Sequence, residues 1–319
     1  MKPQTSEKQQ GIRIGDLIVL ALQNTEMLRQ WKHQFLDRSY CVTETPHFLV
    51  CQREASVQTV VMHALTQREI DADFICFVED ELSPFHIFTS AKTYGSTLFA
   101  VLASTFPSPR NQGDVWRLFC LNSLERFRVL LSCSSQEHST SISHIASFTK
   151  IYRRIFELCG GQSFLDVGTS FGFLPILLAQ NSVFSRIVAC DNNPDILNIS
   201  RKVAAATDAQ HVIFTYQDVL AEDFTNLGRF DTVTAIHVLE HLTEQQLRTA
   251  LTHLLRVTAQ RLVIAVPYEE SIQTDYSHYQ IFTQEKLDVC GKWCMEMLEG
   301  KGRYWCEEVM GGILVIELF

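Results

Sequence analysis

The stretch Ser163–Gly172, which reads SFLDVGTSFG, decides the fold of this chain. A short apolar strand carries Asp166 and leads into the small residues Gly168, Ser170 and Gly172, after which the apolar segment FLPILLA follows. This order of strand, tight turn and helix is typical of the first unit of a nucleotide-binding α/β domain. Small residues in the turn allow backbone N–H groups to approach a bound ligand closely.

The next apolar run, RIVACD, ends at Asp191. A carboxylate at that position can accept hydrogen bonds from the two hydroxyls of a ribose. Phe173 stands where a dinucleotide fingerprint has its third glycine, which disfavours a nicotinamide dehydrogenase. Asp166 lies two residues before the first glycine and suits a cationic or amine-bearing ligand better than a pyrophosphate. The sequence therefore predicts a nucleoside ligand.

These residues resemble the first motif of the class I S-adenosylmethionine-dependent methyltransferases, Asp/Glu-x-Gly-x-Gly-x-Gly. Asp166, Gly168 and Gly172 match the motif, and Ser170 replaces its second glycine. The resemblance implies that S-adenosyl-L-methionine is the cofactor and that these four residues, together with Asp191, bind it.

Further motifs follow in the order that this family has. Asp218 ends the predicted strand VIFTY, where the family places an acid or an amide against the adenine. His237 follows the next strand and opens the phrase HVLEHL, which implies a contact with the methionine part of the cofactor. The resemblance covers about residues 144–319. It implies a Rossmann-like, seven-stranded α/β sheet with helices on both faces, closed by a pair of strands over 307–319.

Residues 1–131 are predicted to form a second, smaller α/β domain. The segments IGDLIVLAL, HFLVC and DFICFVED are predicted as strands, and NTEMLRQWKHQFL and VQTVVMHALTQ as helices. The Ser- and Thr-rich residues 132–143 predict a linker to the methyltransferase domain at 144–319. Since no motif stands out in residues 1–131, we expect this domain to select the methyl acceptor.

Charge and composition bear on the partners. The net charge is −9 and basic residues occur at most in pairs, so nucleic acid is a disfavoured substrate. No apolar run approaches the length of a membrane helix, which predicts a cytoplasmic protein without membrane insertion. A metal site at Cys290, Cys294 and Cys306 is disfavoured, because the helical spacing of the first pair and the absence of matching ligands favour a structural role, and no metal is predicted. The oligomeric state stays open.

The methyl acceptor is specified less closely by the sequence than the cofactor is. A hydroxyl acceptor must lose its proton, and His237 and His278 are the candidate bases, with Glu240 or Glu269 as carboxylate alternatives. Related sequences read Gly-His-x-x-x-Phe where this chain has His278 and Phe282. The C-terminal half is similar to the mycofactocin oligosaccharide methyltransferases, which are predicted to methylate a sugar hydroxyl. We therefore expect O-methylation of a small molecule or saccharide. N- or C-methylation, and a non-catalytic scaffold that binds S-adenosylmethionine, are the alternatives.

Overall fold

The computed structural model describes residues 11–36, 38, 40–53, 56–108, 111–133, 143–181, 184–269, 271 and 278–319. It divides the chain into two units, Met1–Ser123 and Leu124–Phe319. The division falls inside a helix, Gln112–Ser132, whereas the first domain predicted from the sequence ends at residue 131. Residues 134–142 of the predicted linker lie outside the described residues.

The first unit is built on a five-stranded sheet in the order β1-β2-β5-β4-β3. The β2 and β5 strands are parallel, and the other neighbours are antiparallel. This confirms the smaller α/β domain that the sequence predicts. Its elements, with the helix that crosses the division, are β1 Ile12–Ile14, β2 Leu17–Ala21, α1 Thr25–Leu36, β3 Cys41–Glu44, β4 Phe48–Arg53, β5 Ser56–His63, α2 Asp73–Leu82, α3 Ala91–Ser104 and α4 Gln112–Ser132.

The predicted strand DFICFVED is wrong, because this segment forms the helix α2. Phe74, Val78 and Leu82 are its buried apolar residues, and their spacing of four places them on one face of a helix. The Asp71 side chain accepts a hydrogen bond from the Asp73 N–H at 2.9 Å, which satisfies one of the donors at the start of the helix. The segment is rich in Phe, Ile and Val, which favour strands, and this composition obscured the helical spacing of its apolar residues.

The predicted helix VQTVVMHALTQ is also wrong, because VQTVVMH lies in the strand β5. This strand lies between β2 and β4, and Val60, Val61 and Met62 are buried in succession. A strand that is covered on both faces shows no alternation of apolar and polar residues, so its periodicity resembles that of a buried helix.

The second unit contains a seven-stranded sheet in the order β11-β12-β10-β9-β6-β7-β8. Only β12 runs antiparallel to its neighbours β10 and β11, while the remaining pairs are parallel. This confirms the predicted seven-stranded sheet and its closing pair of strands. The elements are α5 His144–Leu158, β6 Ser163–Val167, α6 Phe173–Asn181, β7 Arg186–Asp191, α7 Pro194–Ala205, β8 Ile213–Tyr216, β9 Phe230–Ile236, α8 Glu244–Val257, β10 Thr258–Val266, α9 Gln284–Met297, β11 Gly302–Glu308 and β12 Gly312–Leu318.

The topology of this sheet determines where a ligand can bind. The chain proceeds from β6 to β7 and β8 on one side and to β9 and β10 on the other, so the strand order reverses between β6 and β9. Ligands of open α/β sheets bind outside the carboxyl ends of the strands at such a reversal. The first-motif turn after β6 and the turn after β9 both lie there.

One face of this sheet is covered by α8 and α9. Their apolar residues form a single core with the strands, and Cys290 and Cys294 are buried in it. Burial raises the pKa of the Cys290 thiol to about 11, so it stays protonated at neutral pH. In the part of the chain that the structure describes, no helix has the length and apolar character required to cross a membrane.

Candidate active site

The turn between β6 and α6 has three residues with left-handed backbone conformation. The φ angles of Gly168, Ser170 and Gly172 are 68°, 50° and 75°. A Cβ on Gly168 would overlap Cγ2 of Val238, and one on Gly172 would lie 2.7 Å from the Phe214 ring. Both positions therefore require glycine on two grounds, whereas Ser170 adopts its conformation at a cost of about 1–2 kcal/mol.

Asp191 joins this turn to the end of β7. Its Oδ2 accepts a hydrogen bond from the Ser170 N–H at 2.8 Å, and its Oδ1 accepts one from the Asn193 N–H at 2.9 Å. The Asn193 side chain in turn caps α7, whose first residue is Pro194. The half-buried carboxylate is thus held in one orientation beside the turn.

Asp166 lies beneath the turn and is only 4% exposed. Its Oδ2 accepts a hydrogen bond from Thr169 Oγ1, and its Oδ1 accepts one from Thr234 Oγ1, both at 2.7 Å. Burial raises the pKa of Asp166 to about 6, although the two hydrogen bonds oppose this increase and the nearby Asp191 carboxylate adds to it. The group is therefore ionised at neutral pH in a buried position, which favours a cationic ligand.

Asp218 lies just after β8. Its Oδ1 accepts a hydrogen bond from the Leu220 N–H at 2.9 Å, which forms a local turn. The preceding Gln217 donates its N–H to the Asp191 carbonyl at 3.1 Å, so the ends of β7 and β8 lie side by side. Contact of Asp218 with an adenine stays a prediction.

His237 comes directly after β9 and has a left-handed conformation with a φ of 52°, and its N–H donates to the Ala265 carbonyl at 2.9 Å. Its ring packs against Phe148 of α5 with 4.9 Å between centroids. Its Nδ1 lies 3.7 Å from Glu240 Oε1, and its buried Nε2 has no hydrogen-bond partner among the described residues. Burial lowers the pKa of His237 to about 3, with smaller contributions from neighbouring histidines. The ring is therefore neutral and a weak base.

Glu240 lies in a single turn of 3₁₀ helix, Leu239–His241, and is 1% exposed. Within the described part of the chain, neither carboxylate oxygen has a hydrogen-bond partner. Burial, with a smaller contribution from the Glu269 carboxylate, raises the pKa of Glu240 to about 8. An unpaired buried carboxyl group is costly, so this side chain calls for a ligand or another functional explanation.

The segment that contains His278 packs against this turn. His278 is 9% exposed, and its Nδ1 lies 2.9 Å from both carboxylate oxygens of Glu269. Its ring contacts the His241 ring edge to face, with 4.7 Å between centroids. One ligand atom each from Glu240, His241 and His278 lies within 4.8 Å of the others. The Tyr279 N–H donates to the Glu240 carbonyl at 2.8 Å and ties the two segments together.

The predicted residues thus form two neighbouring groups. The first-motif residues and Asp191 surround one turn, and His237 and His278 lie in the cluster with Glu240. The two groups adjoin, because Val238 fills the space beside Gly168. Sequence reasoning missed Thr169 and Thr234 as partners of Asp166. For Thr234 the available signal was the presence of threonines inside the otherwise apolar strand FDTVTAI.

Comparisons with known proteins find methyltransferases that are similar to parts of the chain. Residues 164–261 match a family model described as a methyltransferase domain. N-methyltransferase 4 of Papaver somniferum is 27% identical over 118 residues, which are 36% of this chain and 33% of that protein. The chain thus matches about a third of the length of this curated relative.

Solved structures of methyltransferases also resemble the chain. One is the methyltransferase domain of the bacterial protein CtHen1-CN, with a TM-score of 0.46 and 14% identity over 54% of this chain and 100% of that chain. Another is magnesium protoporphyrin IX methyltransferase from Synechocystis PCC 6803 with bound S-adenosylhomocysteine, with a TM-score of 0.41 and 15% identity over 61% of this chain and 94% of that one. The match of residues 164–261 to the methyltransferase family model supports a class I S-adenosylmethionine-dependent methyltransferase domain in this part of the chain.

Proposed function

We propose that this protein transfers the methyl group of S-adenosylmethionine to a hydroxyl group of a small molecule or saccharide. The cofactor assignment is supported by the positive-φ turn and by the two carboxylates, Asp166 and Asp191, that adjoin it. The proposal that the acceptor is a hydroxyl is supported by one observation, the pairing of His278 with Glu269 at the carboxyl edge of the sheet.

The chemistry makes a proton acceptor necessary. A lone pair of the acceptor oxygen forms a bond to the methyl carbon, and the carbon–sulfur bond breaks with its electron pair moving to sulfur. The products are the methyl ether and neutral S-adenosylhomocysteine, and the hydroxyl proton must leave. Because a neutral hydroxyl is a poor nucleophile, a base at the acceptor accelerates the step. The remaining work of the protein is alignment and exclusion of water.

His278 fits this role better than His237. Glu269 accepts a hydrogen bond from Nδ1–H of His278, which fixes the tautomer in which Nε2 is the acceptor nitrogen. His237, with a pKa of about 3, binds a proton too weakly to serve as a base at neutral pH. We assign it to the wall of the site, where it contacts Phe148.

A labelling experiment tests this proposal. The protein is incubated with S-adenosylmethionine carrying a ¹³C-methyl group and with small-molecule and oligosaccharide fractions of a cell extract, and the product is identified by NMR. We expect an O-methyl resonance. An N- or C-methyl product, or cofactor binding without transfer to any fraction, would overturn the hydroxyl assignment.

The matched variants are His278→Gln and His211→Gln. His211 is exposed and precedes β8, at the opposite edge of the sheet from the site. We expect His278→Gln to lower turnover about 10²–10⁴-fold without weakening S-adenosylmethionine binding, as for loss of a general base. His211→Gln should match the parent protein in both measurements.

A further inference from the structure

We propose that Glu240, His241 and His278 bind a divalent transition-metal ion. Binding of the ion is independent of the reaction, whereas its role in catalysis rests on the proposed transfer to a hydroxyl. The first observation is convergence, because one ligand atom of each residue lies within 4.8 Å of the others. Two ligands of one such ion stand about 3–4 Å apart at metal–ligand distances near 2.1 Å, so small side-chain movements complete the site.

The second observation is the burial of the Glu240 carboxyl group. It is almost fully buried, and both of its oxygens lack a hydrogen-bond partner among the residues that the structure describes. Buried carboxylates in folded proteins are paired, hydrogen-bonded or bound to metals. A cation between Glu240 and the two imidazoles supplies the partner that the described residues do not provide.

The third observation is the support around the ligands. Glu269 holds Nδ1 of His278, so Nε2 is the nitrogen assigned to the ion. Metal-binding histidines commonly have a carboxylate in this position, where it orients the ring and increases its basicity. The backbone is fastened as well, because Gln280 Nε2 donates to the carbonyls of Leu239 and Leu242. The two segments that carry the ligands are therefore held together without the ion.

The donor set indicates the class of ion. Two imidazoles and one carboxylate suit manganese, iron, cobalt, nickel or zinc, whereas magnesium and calcium prefer oxygen ligands. Three protein ligands also leave coordination positions for a substrate, as in catalytic metal sites.

An acceptor hydroxyl bound at an open position would become more acidic. Its O–H bond breaks with the electron pair staying on oxygen, and the proton passes to a water molecule. The oxygen then attacks the methyl carbon as described above. In this form of the mechanism His278 acts as a ligand, and the ion takes over the activation of the hydroxyl.

The test measures metal binding directly on the full chain. After treatment with EDTA and dialysis, Mn²⁺ is titrated into the protein and free Mn²⁺ is followed by electron paramagnetic resonance, while bound Co²⁺ is followed by its visible absorption. We expect one saturable site. Glu240→Gln and His278→Gln should weaken binding at least about a hundredfold, and Glu269→Gln about 10–100-fold as a change in the supporting layer. His211→Gln should bind as the parent does.

Thermal unfolding and calorimetry with S-adenosylmethionine establish that each variant is folded, and Glu269→Gln provides a milder variant if Glu240→Gln fails to fold. Absence of saturable Mn²⁺ and Co²⁺ binding in the parent, or unchanged binding in Glu269→Gln and His278→Gln, overturns the metal site. Methyl transfer that continues in excess EDTA also overturns the catalytic role of the ion. That last result would leave the proposed function standing with His278 as the base, so the two proposals fail separately.

Discussion

Replacing Asp191 with alanine removes the carboxylate that we expect to hold the ribose of S-adenosylmethionine. Each of its oxygens already accepts one backbone N–H, from Ser170 at 2.8 Å and from Asn193 at 2.9 Å. A carboxylate oxygen has two lone pairs, so each oxygen can accept one ribose hydroxyl in addition. A hydrogen bond to a charged group contributes about 1.5–3 kcal/mol. Since about 1.4 kcal/mol corresponds to a factor of ten, the loss of even one such bond predicts about tenfold to hundredfold weaker binding.

Isothermal titration calorimetry with S-adenosylmethionine and S-adenosylhomocysteine measures this change. The matched control is Asp195→Ala, which removes an exposed carboxylate from the first turn of α7. Thermal unfolding without ligand checks the fold, and we expect little loss because Ser170 and Asn193 are exposed, so that water can replace the lost acceptor. A folded Asp191→Ala protein that binds both ligands as tightly as the parent would refute the ribose assignment.

Three further predictions concern the same turn. Gly168→Ala should lower the melting temperature and abolish cofactor binding, because the added methyl group overlaps Val238 at a left-handed φ; calorimetric binding at the parent level would contradict this. Ser170→Gly should keep or increase the free energy of unfolding, because it relieves a left-handed conformation; a loss of about 1 kcal/mol or more would show that the serine side chain stabilises the turn. Burial raises the Asp166 pKa from 3.8 to about 6, so the folded protein binds this proton more tightly than the unfolded chain does. The group should therefore lower the free energy of unfolding of the ligand-free protein by about 3 kcal/mol as the pH rises from about 4 to above 6. Asp166→Asn should remove that part of the pH dependence in urea unfolding, and parallel pH profiles of parent and variant would count against it.

The turn after β6 and the start of α7 could be predicted because their signals are local in the sequence, whereas the binding of the cofactor by these residues stays a prediction. The turn residues Gly168 and Gly172 need left-handed conformations, and such positions select glycine within a few residues of chain. Asn193 and Pro194 likewise mark the start of α7 by capping chemistry, which acts over three residues. Strand and helix alternate regularly in this unit, so the seven-stranded sheet followed from the pattern.

The first unit was harder because burial on both faces hides periodicity. The β5 and α2 segments are both short and apolar, and the sequence analysis assigned each to the type of element that the other forms. Only the pairing of β5 with β2 and β4 makes it a strand, and that pairing joins distant parts of the chain. Selection of the acceptor by residues 1–131 stays a prediction.

The cluster around Glu240 was hidden for a different reason. Its members come from two separate segments, the turn after β9 and the segment before α9, and no ligand spacing within one segment reveals it. The sequence analysis named Glu240, Glu269 and His278 as bases and predicted no metal. The hydrogen bond from Tyr279 to the Glu240 carbonyl, which is a tertiary contact, brings them together.

The contact of Val238 with Gly168 has a consequence for how the two ligands affect each other. Val238 follows His237 and precedes the Glu240 turn, and its Cγ2 lies 2.4 Å from the position that a Cβ on Gly168 would take. Displacement of the Glu240 turn toward Gly168 would therefore displace the backbone that we expect to contact the cofactor, since close-packed atoms transmit strain. On the proposed function, binding of the acceptor at this turn would alter the free energy of cofactor binding, and linkage requires the effect to be equal in both directions. An acceptor that tightens the cofactor complex would be bound more tightly, by the same factor, when the cofactor is already in place.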